Sequence, residues 1–446
     1  MKAVPRAAAP QRLAIRADLL DLVADPGFDA LEPPVVRFDA DTWLLVEDGR
    51  IAGRTRTDPG AGWLRIDHRG RLLTPGLIDA HVHLPQLEVI ASHGRELLDW
   101  LGTYTFPAEL RWADPALARA GAERFADALL AHGTTAALVY PTVHAASADA
   151  MFEAAQARGM RLVCGKVLMD RHAPAGLTDD VASAERDCAA GIARWHGRDR
   201  LAYALTVRFA ASSSPAQLAM AGALLAAHPG VYLQTHVAEN LAEVEWVATL
   251  FPDARSYLDV YDRHGLLGAR SVLAHGIWLD DADRARLAAS GACIAHCPTS
   301  NLFLGSGLLD WRALAGAGAA LALASDVGGG TSLSMLRTMA AAYPVQALQG
   351  LRPSAWKLLH AATRGAAQAL GLAHEIGSLE AGTIADLAVW DWAQGPVARH
   401  RDAQARTLHE RVFAWIMLGD ERNLVQTLVA GRERYRRAPT LEATDG

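Results

Sequence analysis

Eight short apolar or β-branched runs, separated by alanine-rich stretches of helical character, fill the middle of this chain. They span residues 76–81, 134–141, 161–169, 201–208, 231–237, 271–277, 292–297 and 320–326. Eight strand–helix units in about 300 residues predict a (β/α)8 TIM barrel with its insertion after the first unit. Some helices show their starts as well. Residues 116–132 follow Asp114, placed to cap, and Pro115, placed at the first helical position. A second helix is expected over 216–228. In such a barrel the chemistry sits at the C-terminal ends of the strands, so those eight positions decide what the chain can do.

The two ends of the chain have another character. Trp43-Leu44-Leu45-Val46, the turn residues Glu47-Asp48-Gly49-Arg50 and Ile51-Ala52-Gly53-Arg54 read as a hairpin. Residues 63–67 alternate, and Leu72-Leu73 runs into the break at Thr74-Pro75-Gly76. Near the other end, 379–383 leads into a run at 386–390, and 425–437 alternates again. The expected organisation is a small β-sandwich domain built from residues 1–73 and 377–446, around a barrel of 74–376. An apolar fraction of 51% supplies a large core and excludes wholesale disorder.

A net charge of −6 gives no footing for nucleic acid. The one basic run, Arg432 to Arg437, reads as the exposed face of a late strand. No stretch approaches the ~18 apolar residues of a membrane span. Residues 1–10, alanine-rich and broken by proline, do not read as a signal peptide. Four cysteines do not make a disulfide framework. The expected location is cytoplasmic.

Ionisable residues fall at four of the strand ends. The first run leads into His81-Val82-His83, where a period of two puts both imidazoles on one face. The fifth reaches Gln234-Thr235-His236, the sixth Leu273-Ala274-His275 and the eighth Ala324-Ser325-Asp326. Burying any of these unpaired is costly, and four such ends converge on one barrel mouth. Imidazole nitrogens with one carboxylate suit Zn²⁺, with a water completing the site. Glu239, three residues past His236, lies on the loop above the strand end, where a proton shuttle belongs.

The run Pro75-Gly76-Leu77-Ile78-Asp79-Ala80-His81-Val82-His83 resembles the amidohydrolase superfamily. Longer motifs resemble its guanine deaminase family: Leu97-Leu98-Asp99-Trp100-Leu101, Tyr104-Thr105-Phe106-Pro107-Ala108-Glu109, Met169-Asp170-Arg171, Arg208-Phe209 and Gln234 to Asn240. His296-Cys297-Pro298-Thr299-Ser300-Asn301-Leu302, Ser325 to Gly330 and Leu418 to Asn423 extend it, so that it covers about residues 40–435. The resemblance implies metal ligands His81, His83, His236 and Asp326. It implies catalytic roles for Glu239, His275 and Asp326, and purine contacts from Gln86, Arg208, Phe209, His236 and Asp326. Binuclear members carry a carboxylated lysine at the end of strand four. Here that strand ends in Arg208 and Lys166 lies inside the third run, so one zinc ion per chain is expected. Two departures from the pattern stand out. His172 replaces a smaller amide, and Ala210-Ala211-Ser212-Ser213-Ser214 lacks an expected cysteine.

The expected reaction is hydrolysis of guanine to xanthine and ammonia by a homodimeric enzyme of purine catabolism. The alternative substrate reading is a deaminase of an adenosine derivative, cytosine or a triazine, and Arg208-Phe209 favours guanine over these. The alternative class is a non-catalytic scaffold paralogue, against which stands retention of the whole constellation. Two other patterns are set aside. Alternation splits His296 from Cys293 and Cys297, so these read as core or loop support rather than ligands. Gly328-Gly329-Gly330 has no following Lys-Ser/Thr and reads as close backbone approach, not a phosphate loop.

Overall fold

A computed structural model describes residues 12–94 and 96–438. Residues 1–10, which are not expected to form a signal peptide, lie outside the described residues. The polypeptide forms two sheets joined by a single residue. Strands β1 (Arg12–Leu22), β2 (Val36–Glu47), β3 (Arg50–Thr55) and β4 (Leu64–Pro75) come first. Gly76 separates β4 from β5 (Leu77–His83). Only glycine fits there, because a Cβ would lie 2.1 Å from Thr135 Oγ1.

The barrel strands are β5, β6 (Thr134–Tyr140), β7 (Arg161–Cys164), the short β8 (Val167–Leu168) and β9 (Leu201–Val207). They continue with β10 (Tyr232–Val237), β11 (Ser271–His275), β12 (Cys293–His296) and β13 (Ala320–Leu323). All pair in parallel, in the order β13-β12-β11-β10-β9-β7-β6-β5, with β8 on β9. The third expected strand is thus realised as two pieces interrupted at Gly165-Lys166. Backbone bonds from Asp326 N to His81 O and from His83 N to Val327 O, both 2.9 Å, close the ring between the last strand and the first. The helix Pro115–Ala131 starts where expected, with Asp114 accepting from Ala116 N.

The small domain expected from both chain ends is built on a seven-stranded sheet, ordered β16-β15-β14-β4-β1-β2-β3, with β14 (Leu387–Trp390), β15 (Leu424–Val429) and β16 (Arg432–Arg436). The hairpin β2–β3 turns on Asp48 and Gly49, both in the left-handed region. The C-terminal part is less purely β than expected. The helices Gly395–Ala403 and Leu408–Leu418 lie between β14 and β15. Trp415 and Ile416 of the second are buried with Trp390 in a core shared by sheet and barrel. Among the described residues no helix is long and apolar enough to cross a membrane.

Candidate active site

The strand ends of β5 and β10 and the turn after β13 place four donor atoms together. His81 Nε2 and His83 Nε2 lie 3.1 Å apart, His236 Nε2 is 3.3 Å from His83 Nε2, and Asp326 Oδ1 is 3.1 Å from both His81 and His83. Ligands on a tetrahedral zinc at 2.0–2.1 Å stand about 3.3 Å from one another, so these spacings match the edges of that polyhedron. The chemistry of the donors matches too. Burial draws His81 down to about 4 and lowers His83 and His236, which keeps imidazoles neutral with lone pairs free. His236 Nδ1 donates to Arg208 O at 2.5 Å, which fixes the tautomer that leaves Nε2 as the ligating atom. Burial opposes ionisation of Asp326, but the facing imidazoles of His81 and His83 outweigh it and hold the carboxylate well below its usual range. Neutral nitrogens aimed at one another around an anion call for a cation, and these residues fit a metal ion.

A second pair faces the cluster. Glu239 Oε2 stands 3.3 Å from His275 Nε2, and His275 Nε2 stands 3.8 Å from Asp326 Oδ2. His275 Nδ1 donates to Asn301 Oδ1 at 2.8 Å, and Ser306 Oγ donates to Glu239 Oε1 at 3.0 Å. Burial pushes the Glu239 carboxyl up to about 7. Burial works against a charged His275, yet the facing carboxylates of Glu239 and Asp326 prevail and raise it. A carboxyl that titrates near neutrality beside a raised imidazole can take and return a proton. The backbone here is strained, with Ala238, His275 and Asp326 all at positive φ. A Cβ on Gly330 would lie 1.7 Å from Ser325 O, so the glycines after Asp326 serve close backbone approach.

One cavity joins both groups to Gln86, Arg208 and Phe209. Gln86 sits on the short helix Pro85–Val89, and its Oε1 accepts from Gly328 N at 3.3 Å. β9 ends at Val207, and a 3-10 turn over Ala210–Ser212 follows, so Arg208 and Phe209 reach the same cavity instead of opposite faces. Arg208 Nη1 donates to both oxygens of Glu109, at 2.8 and 2.7 Å, while Leu97, Trp100 and Leu101 of the insertion cover the cavity.

The amidohydrolase family matches residues 72–434, which contain every one of these groups. The chain belongs to the amidohydrolase family. Guanine deaminase of Escherichia coli is 39% identical over 429 residues, 95% of this chain and 98% of that protein. A probable guanine deaminase of Deinococcus radiodurans is 43% identical over 77% of this chain and 80% of its own length. The E. coli structure superposes with a TM-score of 0.92 at 39% identity, covering 96% of this chain and all of the other. Guanine deaminase from C. acetobutylicum, solved with bound guanine in its active site, gives 0.86 at 27% identity, covering 95% and 100%.

In this amidohydrolase the residues expected at the site are brought together: His81, His83, His236 and Asp326 in one cluster, and Gln86, Arg208, Phe209, Glu239 and His275 around its cavity. Lys166 is elsewhere, buried, donating to Val143 O at 2.5 Å and paired with Asp179. His296 points away, its ring toward Trp311. Cys297 lies nearer than expected, its Sγ within 4.8 Å of His275 and Asp326 donor atoms while donating to Ala295 O. Spacing and residue type assign no role to Glu109, Asn301, Ser306 or Tyr140, whose ring packs on His81 at 4.7 Å and His83 at 4.8 Å. Tyr140 carried a signal, since it stands at a strand end. Ser306, in an irregular loop, carried none.

Proposed function

We propose that this amidohydrolase converts guanine and water to xanthine and ammonia with one zinc ion held by His81, His83, His236 and Asp326. The observation that carries the reading is that a single cavity unites a four-donor cluster, the Glu239–His275 pair and a buried arginine. Relatives named guanine deaminases across nearly the whole chain support it. The bound ion would supply Lewis acidity, lowering the pKa of a water to about 7.

The remaining work belongs to the chain. Arg208 offers five N–H donors; Glu109 takes those of Nη1, leaving Nε and Nη2 for the C6 carbonyl, an acceptor where adenine carries a donor. Gln86 meets the remaining ring edge, and Phe209 flanks the base. Glu239 takes a proton from the attacking water and delivers it to ring N3 as oxygen bonds to C2. His275 and Asp326 orient that water. The C2–N bond to the amino group then breaks, Glu239 relays the hydroxyl proton to the departing nitrogen, and ammonia and xanthine leave. Residues 74–376 carry every group named, whereas 1–73 and 377–446 carry none. A cytoplasmic homodimer belongs to the same reading, and sedimentation checks the dimer.

The test is direct. Purified protein should carry about one zinc per chain and release ammonia from guanine, with little or none from adenine or cytosine. A site built on such polar contacts discriminates by about 10⁴–10⁵, because a mismatched base leaves buried groups unpaired. Comparable kcat/KM for adenine and guanine, or two tightly held ions per chain, would overturn the assignment.

A further inference from the structure

Glu109 lies on the short helix Phe106–Leu110 in the insertion after the first barrel strand, and its side chain is fully buried. Both its oxygens accept from Arg208 Nη1, and Gln86 Nε2 stands 3.4 Å from Oε1. The same helix sets the Phe106 ring beneath the Arg208 guanidinium, 5.3 Å from its carbon to the ring centroid. One helix therefore fixes the arginine by a carboxylate and an aromatic face, and touches Gln86 as well. Arg208 has a side chain only 3% exposed, and Glu109 is its one ion-pair partner among the described residues. Without that partner the purine cavity would hold an uncompensated buried cation.

Resting on the guanine deaminase reading above, we infer that Glu109 is the positioning and charge-balancing residue of the purine pocket, holding Arg208 so that the site takes an uncharged base and releases its more acidic product. Guanine is uncharged at neutral pH. Xanthine, with carbonyls at C2 and C6, gives up a ring proton more readily. A free guanidinium would retain that anion through a charge-assisted hydrogen bond, whereas an arginine already satisfied by Glu109 has no charge to spare. The carboxylate thus favours turnover by weakening the hold on product as well as by aiming the donors at substrate.

The experiment measures binding of xanthine and of hypoxanthine, which shares the C6 carbonyl but is less acidic, by calorimetry on the metal-loaded protein across neutral pH. His83, His236, Glu239, Glu243, His275 and Asp326 also line the cavity. Their titration is common to the parent and Glu109→Gln, so it cancels when the xanthine-to-hypoxanthine ratios of the two proteins are compared at each pH. In the parent protein the ratio of xanthine to hypoxanthine Kd should rise as xanthine ionises; a flat or falling ratio overturns the inference. Glu109→Gln, with unchanged metal content, should reverse the trend, binding xanthine about tenfold tighter at the alkaline end while guanine KM rises by about tenfold or more. A variant whose ratio follows the parent's, with all three bases weakened alike, assigns Glu109 a merely structural role and overturns the inference. If Glu109→Gln does not fold, the parent profile alone decides. Guanine turnover by the parent scores the underlying reading separately, because neither binding measurement depends on it.

Discussion

The proposed metal half and the proposed purine half of this cavity are built by different means. His81, His83 and His236 stand on barrel strands, and Asp326 stands three residues past the end of one, so parallel pairing and ring closure bring neighbouring donors to 3.1–3.3 Å. Gln86, Glu109, Arg208 and Phe209 stand on a 3-10 helix, on an insertion and beside a turn, where Glu109 holds Gln86 and Arg208 and Trp246 packs on Phe209. On the proposed reading the barrel supplies reaction chemistry through backbone geometry, and its connections supply the choice of substrate. Damage to the first half should abolish the reaction together with metal, and damage to the second should change which ligand is held while the metal stays.

The largest expected effect falls on the metal half. His236→Ala removes one of four donors and should reduce both metal content and guanine turnover to background, read by elemental analysis and ammonia release. Next comes Glu239→Gln, which keeps size and hydrogen-bonding reach but cannot accept a proton. It should retain metal and bind purine while kcat falls by ~10²–10⁴. Loss of metal in that variant would make Glu239 a ligand and erase the boundary drawn here.

Arg208→Ala tests the other half. Metal should stay bound, and guanine kcat/KM should fall by about 10- to 100-fold for the lost charge-assisted hydrogen bonds. The variant also strands Glu109, whose side chain is fully buried, so stability should drop by ~3–5 kcal/mol, seen as a lower denaturation midpoint. Intact guanine kinetics would remove Arg208 from recognition.

The same division explains what could be read from sequence. Strand-end positions follow from a period of two and from barrel topology, so His81, His83, His236, His275 and Asp326 were legible from spacing together with residue type. The helix start at Asp114 and Pro115 was legible from local capping chemistry. Glu109 was not, because its partner Arg208 lies 99 residues away and only the folded insertion brings them together. β1 escaped for another reason. As an interior strand of its sheet it is buried on both faces, so Leu19, Leu20 and Leu22 break the alternation that marks a half-exposed strand. The helices between β14 and β15 interrupt a region whose flanking runs both read as strands.

pH sharpens the comparison on the catalytic side. Glu239 must be ionised to take a proton, so activity is present above its pKa and lost as pH falls through it. Burial sets that value to about 7, and a bound cation draws it lower, so the acid limb of kcat/KM should fall at or below pH 7 with a slope of about tenfold per unit. The apparent value belongs to the Glu239–His275 pair jointly. Glu239→Gln should flatten this limb, whereas Arg208→Ala should lower the whole profile without moving it. A shifted limb in Arg208→Ala would couple the two halves.

The smallest expected effect concerns the rim of the proposed purine half, where His172 stands in place of the smaller amide that the resemblance implies. Its backbone is left-handed, φ 53°, a conformation that asparagine tolerates better than most residues with a side chain. The His172 ring packs edge-on against Trp246 at 5.3 Å, and Trp246 packs edge-on against Phe209 at 5.9 Å. His172 therefore acts on the base only through two intervening rings, and it is itself exposed. His172→Asn relieves backbone strain and gives up one aromatic contact, two terms of opposite sign and similar size. Stability should change by no more than about 0.5 kcal/mol and guanine KM by no more than about threefold, with kcat and metal content unchanged. A larger rise in KM would show that the Trp246–Phe209 stack, and not the arginine clamp alone, positions the base.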